Sequence, residues 1–186
     1  MELLAISGSC NPDGQTARAA KAFINGACDK GGRAELLFLP SMKIERCRQC
    51  ENSGWGLCRT EGRCVIEDDF GSVVERIRAA DAAAFASPVY FSDLSESLRA
   101  FLDRLRRITR HEAGLEGIKD KRAVGICVAG GGGGGAPACL VSLEKVLATC
   151  GFDVVDLVPV RRQNLEMKTE VLQITGRWLA HSLTAG

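Results

Sequence analysis

The stretch ELLAISGSCNPDGQTARAAKAFINGAC, residues 2 to 28, contains the unit from which the whole fold is built. It begins with a short apolar run that ends at Gly8, as expected of a buried strand. A polar turn follows, after which Ala20, Phe23 and Ile24 recur at the spacing of one helical face. The stretch therefore predicts a strand, a turn and a helix in succession.

The same alternation continues to the end of the chain. Four further apolar runs are typical of strands, at residues 34–40, 82–87, 122–130 and 154–160. Four further amphipathic segments are typical of helices, at residues 68–81, 94–107, 136–150 and 167–178. Strands that alternate with helices in this way predict a parallel sheet covered by helices on both faces.

Composition narrows the class of protein. A chain of 186 residues fits one domain, and its formal net charge of +1, without long runs of like charge, predicts no nucleic-acid surface. Without an apolar leader or a membrane-length apolar run, we expect a soluble, cytoplasmic protein that does not bind membranes. The local basic run of Arg104, Arg106, Arg107 and Arg110 is expected to be a solvated helix face.

Ligands of such sheets bind beyond the carboxyl ends of the strands, near the point where the strand order reverses. The loop after the first strand, SGSCNPDGQT at residues 7–16, combines polar side chains with the free amides of a helix N-terminus, which favours an anion. It lacks the P-loop lysine and the G-x-G-x-x-G pattern, so a phosphate monoester is favoured over a triphosphate or a dinucleotide. Helix capping alone is the alternative explanation.

Two other loops follow the third and fourth strands. Pro88 stiffens the first of them, and Tyr90 and Phe91 offer ring faces to a flat ligand, unless they are simply core residues. The second is the glycine run from Gly130 to Gly135, whose bare backbone would allow a planar ligand to approach closely. A flexible loop that orders only with a partner is the alternative.

Several segments together resemble the NADPH-dependent FMN reductase family, and in particular its iron-sulfur flavoproteins. They are GSCNPDGQT at 8–16, CVIEDDF at 64–70, AADAAAFASPVYFSDLSESLRAFLDR at 79–104 and the glycine run. The resemblance implies a flavodoxin-like three-layer α/β sandwich with a five-stranded parallel sheet in the order 2-1-3-4-5. It also implies one FMN-binding domain over residues 1–186, with NAD(P)H as electron donor and with a homodimer or homotetramer as the assembly.

The resemblance further implies which residues hold FMN, and it requires no catalytic acid or base. The expected cofactor-binding residues are Ser7, Ser9, Asn11, Gln15, Thr16, Ser87, Pro88, Val89, Tyr90, Phe91, Gly130, Gly131 and Gly134. Family members often carry proline and basic residues where this chain has Cys10 to Pro12. The aliphatic face from Leu94 to Leu105 is a candidate subunit interface, unless it is covered within the chain.

A cysteine-rich insertion at about residues 41–66 includes CRQCENSGWGLCRTEGRC at 47–64. The connection runs from Pro40 to Glu67, whereas a strand-to-helix loop usually needs about two to six residues. Its spacing is C-x2-C-x7-C-x5-C, which leaves three interpretations open. They are a [4Fe-4S] cluster held by Cys47, Cys50, Cys58 and Cys64, a zinc site, and a packed loop without metal.

The resemblance to iron-sulfur flavoproteins favours the cluster, although this chain has Ser53 where the compact family pattern has its third cysteine. The position after the second strand predicts that the cysteine loop lies close to the flavin crevice. Among the remaining cysteines we expect small buried residues, apart from Cys10 in the first loop.

The function that the sequence favours is an FMN-dependent oxidoreductase that passes electrons between FMN and an iron-sulfur cluster. Its acceptor would be a redox partner protein or a small molecule. One alternative is a flavodoxin-like electron carrier without a substrate of its own. The other is a non-catalytic FMN-binding module whose cysteine loop binds zinc or nothing.

Overall fold

The parallel sheet has five strands. A computed structural model describes residues 1–29 and 31–184. The strands are β1 (Glu2–Ser7), β2 (Arg33–Phe38), β3 (Ala82–Pro88), β4 (Arg122–Ala129) and β5 (Asp153–Arg161). All neighbouring pairs are parallel, and the order is β2-β1-β3-β4-β5. The predicted flavodoxin-like order 2-1-3-4-5 is therefore confirmed.

Helices cover both faces of this sheet. They are α1 (Gln15–Cys28), α2 (Leu57–Thr60), α3 (Phe70–Ala79), α4 (Glu96–Ile108), α5 (Glu112–Leu115), α6 (Ala136–Cys150) and α7 (Leu165–Thr184). Helices α1 and α7 pack with one buried cluster, whereas α3, α4 and α6 pack with the other, which makes three layers. The five predicted helices are present, while the short α2 and α5 carry no sequence signal. Among the described residues, no helix combines the length and apolar character that crossing a membrane requires.

The two buried clusters follow from the alternation of side chains along each strand. On β4, Ala123 and Cys127 face one cluster, while Val124 and Ile126 face the other. Strands buried on both faces read as nearly continuous apolar runs, which is why the central strands are easy to recognise in the sequence.

The aliphatic stripe of α4 is buried inside the chain. Leu98, Phe101, Leu102 and Leu105 have no exposed surface and pack into the cluster that also contains α3 and α6. Of the two possibilities for the face from Leu94 to Leu105, the structure shows the second, because this face is covered within the chain. The homodimer or homotetramer itself stays a prediction.

Candidate functional site

The loops that follow β1, β3 and β4 meet at the carboxyl edge of the sheet. The amide of Gly8 donates to the carbonyl of Ala86 at 2.9 Å, and the amide of Val89 donates to the carbonyl of Val128 at 3.0 Å. The Ser97 hydroxyl donates to the Gly8 carbonyl at 3.1 Å, which places the N-terminus of α4 against the first loop. The three segments predicted to bind FMN thus lie side by side.

The polar side chains of the first loop mainly shape the loop itself. Ser7 Oγ accepts from the amide of Ser9, and Ser9 Oγ accepts from the amide of Asn11, each at 3.2 Å. Asn11 Oδ1 accepts from the amide of Asp13 at 2.9 Å. The loop leads to α1, whose N-cap residue Gly14 provides no side-chain cap. The first amides of α1, at Gln15 and the buried Thr16, therefore receive no side-chain cap from Gly14, and such amides are the groups that bind an anion at a helix N-terminus.

Gln15 has a polar atom that the protein leaves unpaired. Its side-chain Oε1 is buried and has no hydrogen-bond partner among the described residues. A Cβ built on Gly130 would lie 3.6 Å from this oxygen, so the amide stands between the first loop and the glycine run. A buried polar atom costs free energy when it is unpaired, which fits a group that is completed by a ligand.

The exit of β3 is built around a tight turn. Ser87 Oγ accepts from the amide of Ser95 at 3.0 Å, which ties the strand end to α4. Tyr90 and Asp93 exchange two backbone hydrogen bonds, while Phe91 and Ser92 adopt left-handed φ angles of 49° and 63°. Non-glycine residues rarely adopt such angles, and bulky ones least of all. Phe91 is fully exposed and Tyr90 is 46% exposed, so neither aromatic belongs to the core.

The glycine run leaves an open edge. A Cβ on Gly131, Gly132 or Gly134 would meet no atom within 4 Å. Gly133 and Gly135 have φ angles of +78° and +83°, which glycine adopts without strain. This bare, curved backbone lies beside Gln15 at the N-terminus of α1 and leaves open space on one side.

Two neighbours of the glycine run were missed by sequence reasoning. Gln163 Nε2 donates to the Gly132 carbonyl at 3.5 Å, and Ser92 Oγ lies 2.6 Å from the position of a Cβ on Gly135. Gln163 follows β5, and its place in the loop after the fifth strand is the sequence signal that could have identified it. Ser92 carried no separate signal.

The four clustered cysteines line one small cavity. Cys47, Cys50, Cys58 and Cys64 surround a space of about 20 Å³ together with other residues, including Arg104 and Arg107 of α4. Within residues 1–29 and 31–184, no group of three or more His, Cys, Asp or Glu side chains has metal-coordinating geometry. Four thiols are nevertheless the donor set of an iron-sulfur cluster, and an occupant larger than one water requires the loop to widen.

The backbone around Cys50 is held in an uncommon conformation. Gln49 and Glu51 on either side have left-handed φ angles of 51° and 58°. Such angles persist where the surrounding structure enforces them, and they concentrate at functional sites. Trp55 closes the neighbouring part of the loop, with the guanidinium of Arg107 at 4.6 Å and that of Arg59 at 5.7 Å from its ring centre.

Arg104 fastens this loop to the fold. Its guanidinium donates to both carboxylate oxygens of Asp68, at 2.6 and 2.9 Å, and both side chains are almost fully buried. Burial alone would raise the pKa of Asp68, but hydrogen bonds from Arg104 and from the amides of Glu45 and Phe70 hold it below its ordinary value. The prediction that the arginine run is a solvated face is thus wrong for Arg104, because Asp68 compensates its charge inside the protein.

The cysteine cavity and the flavin crevice lie at opposite ends of α4. Ser95 and Ser97 contact the crevice loops, whereas Arg104 and Arg107 line the cavity. Arg104 lies nine positions after Ser95, which corresponds to about 14 Å along a helix axis. Within one chain, part of α4 thus lies between the thiol cavity and the crevice loops, and the prediction that the cysteine loop lies close to the crevice stays a prediction.

The other cysteines largely follow the expectation. Cys127, Cys139 and Cys150 are buried, Cys28 is partly exposed and Cys10 is exposed in the first loop. Burial raises the pKa of Cys150 to about 12, which keeps that thiol protonated and unreactive.

This sheet order, with open loops at its carboxyl edge, defines the class of flavodoxin-like proteins. Residues 1–163 match the family of NADPH-dependent FMN reductases, and the chain belongs to that family. It is 31% identical over 106 residues to an iron-sulfur flavoprotein of Methanocaldococcus jannaschii, a match that covers 57% of this chain and 52% of that protein. It is 28% identical over 155 residues to an iron-sulfur flavoprotein of Methanosarcina thermophila, covering 83% of this chain and 77% of the relative.

Solved structures show the same fold. An NAD(P)H:quinone oxidoreductase from Methanothermobacter marburgensis superposes with a TM-score of 0.69 at 22% identity, covering 96% of both chains. A flavone reductase superposes with a TM-score of 0.72 at 19% identity, covering 99% of this chain and 63% of that one. The chain thus spans about half of its M. jannaschii relative and nearly two thirds of the flavone reductase.

Proposed function

We propose that this protein is an FMN-dependent oxidoreductase that takes electrons from NAD(P)H and passes them to a redox partner protein or a small-molecule acceptor. The observation that supports it most directly is the meeting of Gln15 with Gly130. There an unpaired buried amide oxygen stands between an uncapped helix N-terminus and an open glycine edge. Family membership points to the same cofactor.

The chain's own residues bind and orient the cofactor. The first amides of α1, at Gln15 and Thr16, would hold the phosphate, and the glycine run would leave room for the flat ring. The exposed rings of Tyr90 and Phe91 would contact the bound cofactor and shield it from water. When bound, FMN supplies the exchange between two-electron hydride chemistry and one-electron transfer.

We further propose that Cys47, Cys50, Cys58 and Cys64 hold a [4Fe-4S] cluster. The support is that these four thiols line one cavity together and that the two relatives described above are iron-sulfur flavoproteins. When bound, the cluster supplies one-electron transfer. The cavity contains no histidine, which disfavours a mixed zinc site, whereas zinc bound by the four thiolates stays an alternative.

The test is the cofactor content of the protein purified without oxygen. We expect FMN together with iron and acid-labile sulfide, and little zinc. Zinc without sulfide would mean that the four thiols bind a structural metal and not a cluster. Colourless protein that cannot be loaded with FMN would overturn the whole proposal.

Rapid mixing distinguishes an oxidoreductase from an electron carrier. We expect NADPH or NADH to bleach the flavin absorbance rapidly, because a flavin oxidoreductase accepts a hydride from the nucleotide. Flavin that stays oxidised with both nucleotides, yet is reduced by dithionite, would favour a flavodoxin-like carrier.

A further inference from the structure

The neck of the cysteine loop is closed by one buried ion pair. The Arg104 guanidinium donates to the carbonyl of Glu45, two residues before the first cysteine of the loop, at 3.0 Å. It also donates to the carbonyl of Ile66, two residues after the last, at 3.3 Å. Asp68 completes the ring, because its carboxylate accepts from the amide of Glu45 at 2.8 Å. Both ends of the loop are thus fixed to a single side chain of α4.

The same guanidinium lies at the wall of the thiol cavity. Arg104 lines the cavity with the four cysteines, whereas Asp68 lies outside its lining. The Nε atom of Arg104 is buried and has no hydrogen-bond partner among the described residues. The ring of Phe70, 4.1 Å from the guanidinium carbon, keeps water from its other face. A fixed positive charge in such surroundings acts more strongly than one in solvent.

From this geometry we propose that Arg104 has two roles toward the thiol cavity: it holds the cavity assembled before any occupant binds, and it raises the reduction potential of an anionic occupant. The second role rests on the proposed function. Gain of one electron by a cluster adds one negative charge to the cavity, and a nearby positive charge stabilises that reduced form. The first role is independent of the cluster, because all of the neck bonds are made by the chain itself.

The first role is tested on metal-free full-length chain by amide hydrogen exchange. Arg104→Lys keeps the charge but cannot bond both carbonyls and both carboxylate oxygens at once. We expect the amide of Glu45 to exchange about tenfold faster or more in R104K than in the unmodified chain, as loss of one or more such bonds implies. Arg106→Gln, which alters an exposed pair with Asp103 on the same helix, is the control and should leave that amide unchanged. Equal protection in all three chains would overturn the first role.

The second role is tested by the midpoint potential of the cluster in anaerobically purified protein. Asp68→Asn removes a negative charge and leaves Arg104 in place, so the potential should rise. The double variant D68N/R104Q removes both charges, and the potential should fall below that of the unmodified protein because Arg104 is the residue at the cavity wall. R106Q should leave it unchanged.

A purely structural effect would move both variants in the same direction or release the cluster from both. Either outcome overturns the second role. Iron and sulfide are measured first in the unmodified protein, which separates this test from that of the proposed function. If the unmodified protein binds no cluster, the second role is overturned together with the proposed cluster. The hydrogen-exchange experiment then tests the first role by itself.

Discussion

The side chain of Gln15 lies against the main chain of Gly130, with Oε1 at 3.6 Å from the position that a Cβ on that glycine would occupy. The two residues follow different strands, and only the parallel sheet brings them together. Since the oxygen has no partner among the described residues, a ligand at this contact could supply its missing hydrogen bond.

Replacing Gln15 by Leu should weaken FMN binding without weakening the fold. Loss of one hydrogen bond of about 0.5–1.5 kcal/mol corresponds to a dissociation constant roughly 2- to 13-fold higher. The melting temperature of flavin-free protein should not fall, because the lost oxygen had no protein partner. Quenching of FMN fluorescence and thermal denaturation measure the two quantities. Gln173→Leu on α7 is the control, and equal effects of both changes on FMN affinity would contradict the prediction.

The glycine edge can be tested by adding a side chain to it. Gly131→Leu and Gly71→Leu both place atoms where nothing lies within 4 Å, but only Gly131 belongs to the crevice. We expect the change at Gly131 to reduce FMN affinity by about tenfold or more, since a side chain there occupies space for the ring. The control at Gly71 should bind FMN normally. Unchanged FMN affinity in both variants would mean that the flavin ring does not bind at this edge.

Two substitutions of Phe91 distinguish the effect of backbone strain on stability from the effect of ring contact on binding. Its left-handed φ of 49° favours glycine, so Phe91→Gly should be more stable than Phe91→Ala by about 1 kcal/mol. Both variants lose the exposed ring, so both should bind FMN or an apolar acceptor more weakly and to the same extent. Urea unfolding and flavin titration check the pair, and a large difference in affinity between the two would refute the ring contact.

The lining of the thiol cavity predicts which cysteines are needed to bind the proposed cluster. Cys47→Ser and Cys58→Ser should lose iron and sulfide and keep FMN, because the crevice lies at the other end of α4. Cys10→Ser is the matched control, since Cys10 is exposed in the first loop and apart from the cavity. Iron retained in full by Cys47→Ser would exclude that thiol as a ligand.

The fold could be predicted from the sequence because its signals are local. Apolar runs marked all five strands, and Gly151, with a φ of 97°, ends α6 as a glycine C-cap should. The second strand ends earlier than the sequence predicts, at Phe38, because Leu39 and Pro40 belong to a short 3-10 turn. The three loops expected at the crevice do lie side by side, whereas Gln163 could not be predicted, because its contact with Gly132 joins residues far apart in sequence.

The way in which the cysteine loop is held could not be predicted for the same reason. The residue that positions it, Arg104, lies 36 positions from its partner Asp68, and a run of arginines is ordinarily solvated. Neither the burial of one member of the run nor the course of the loop along α4 has a local pattern.

The buried ion pair also predicts how stability depends on pH. The pKa of Asp68 lies below its ordinary value, because the folded protein favours the ionised carboxylate. Its contribution to the free energy of unfolding is therefore fully present above about pH 4 and is lost as the pH falls through the lowered pKa.

The variant Asp68→Asn removes this dependence. Breaking a buried ion pair typically costs about 3–5 kcal/mol, so the variant should be that much less stable at pH 7. Below the lowered pKa the Asp68 carboxyl of the unmodified protein is protonated and is therefore uncharged, like the Asn side chain. The difference in the free energy of unfolding between the two proteins should then shrink. Urea unfolding at several pH values between 7 and 2 measures it, with Asp103→Asn on the exposed pair with Arg106 as control. A difference that stays constant over this range would mean that the carboxylate of Asp68 does not stabilise the neck through its charge.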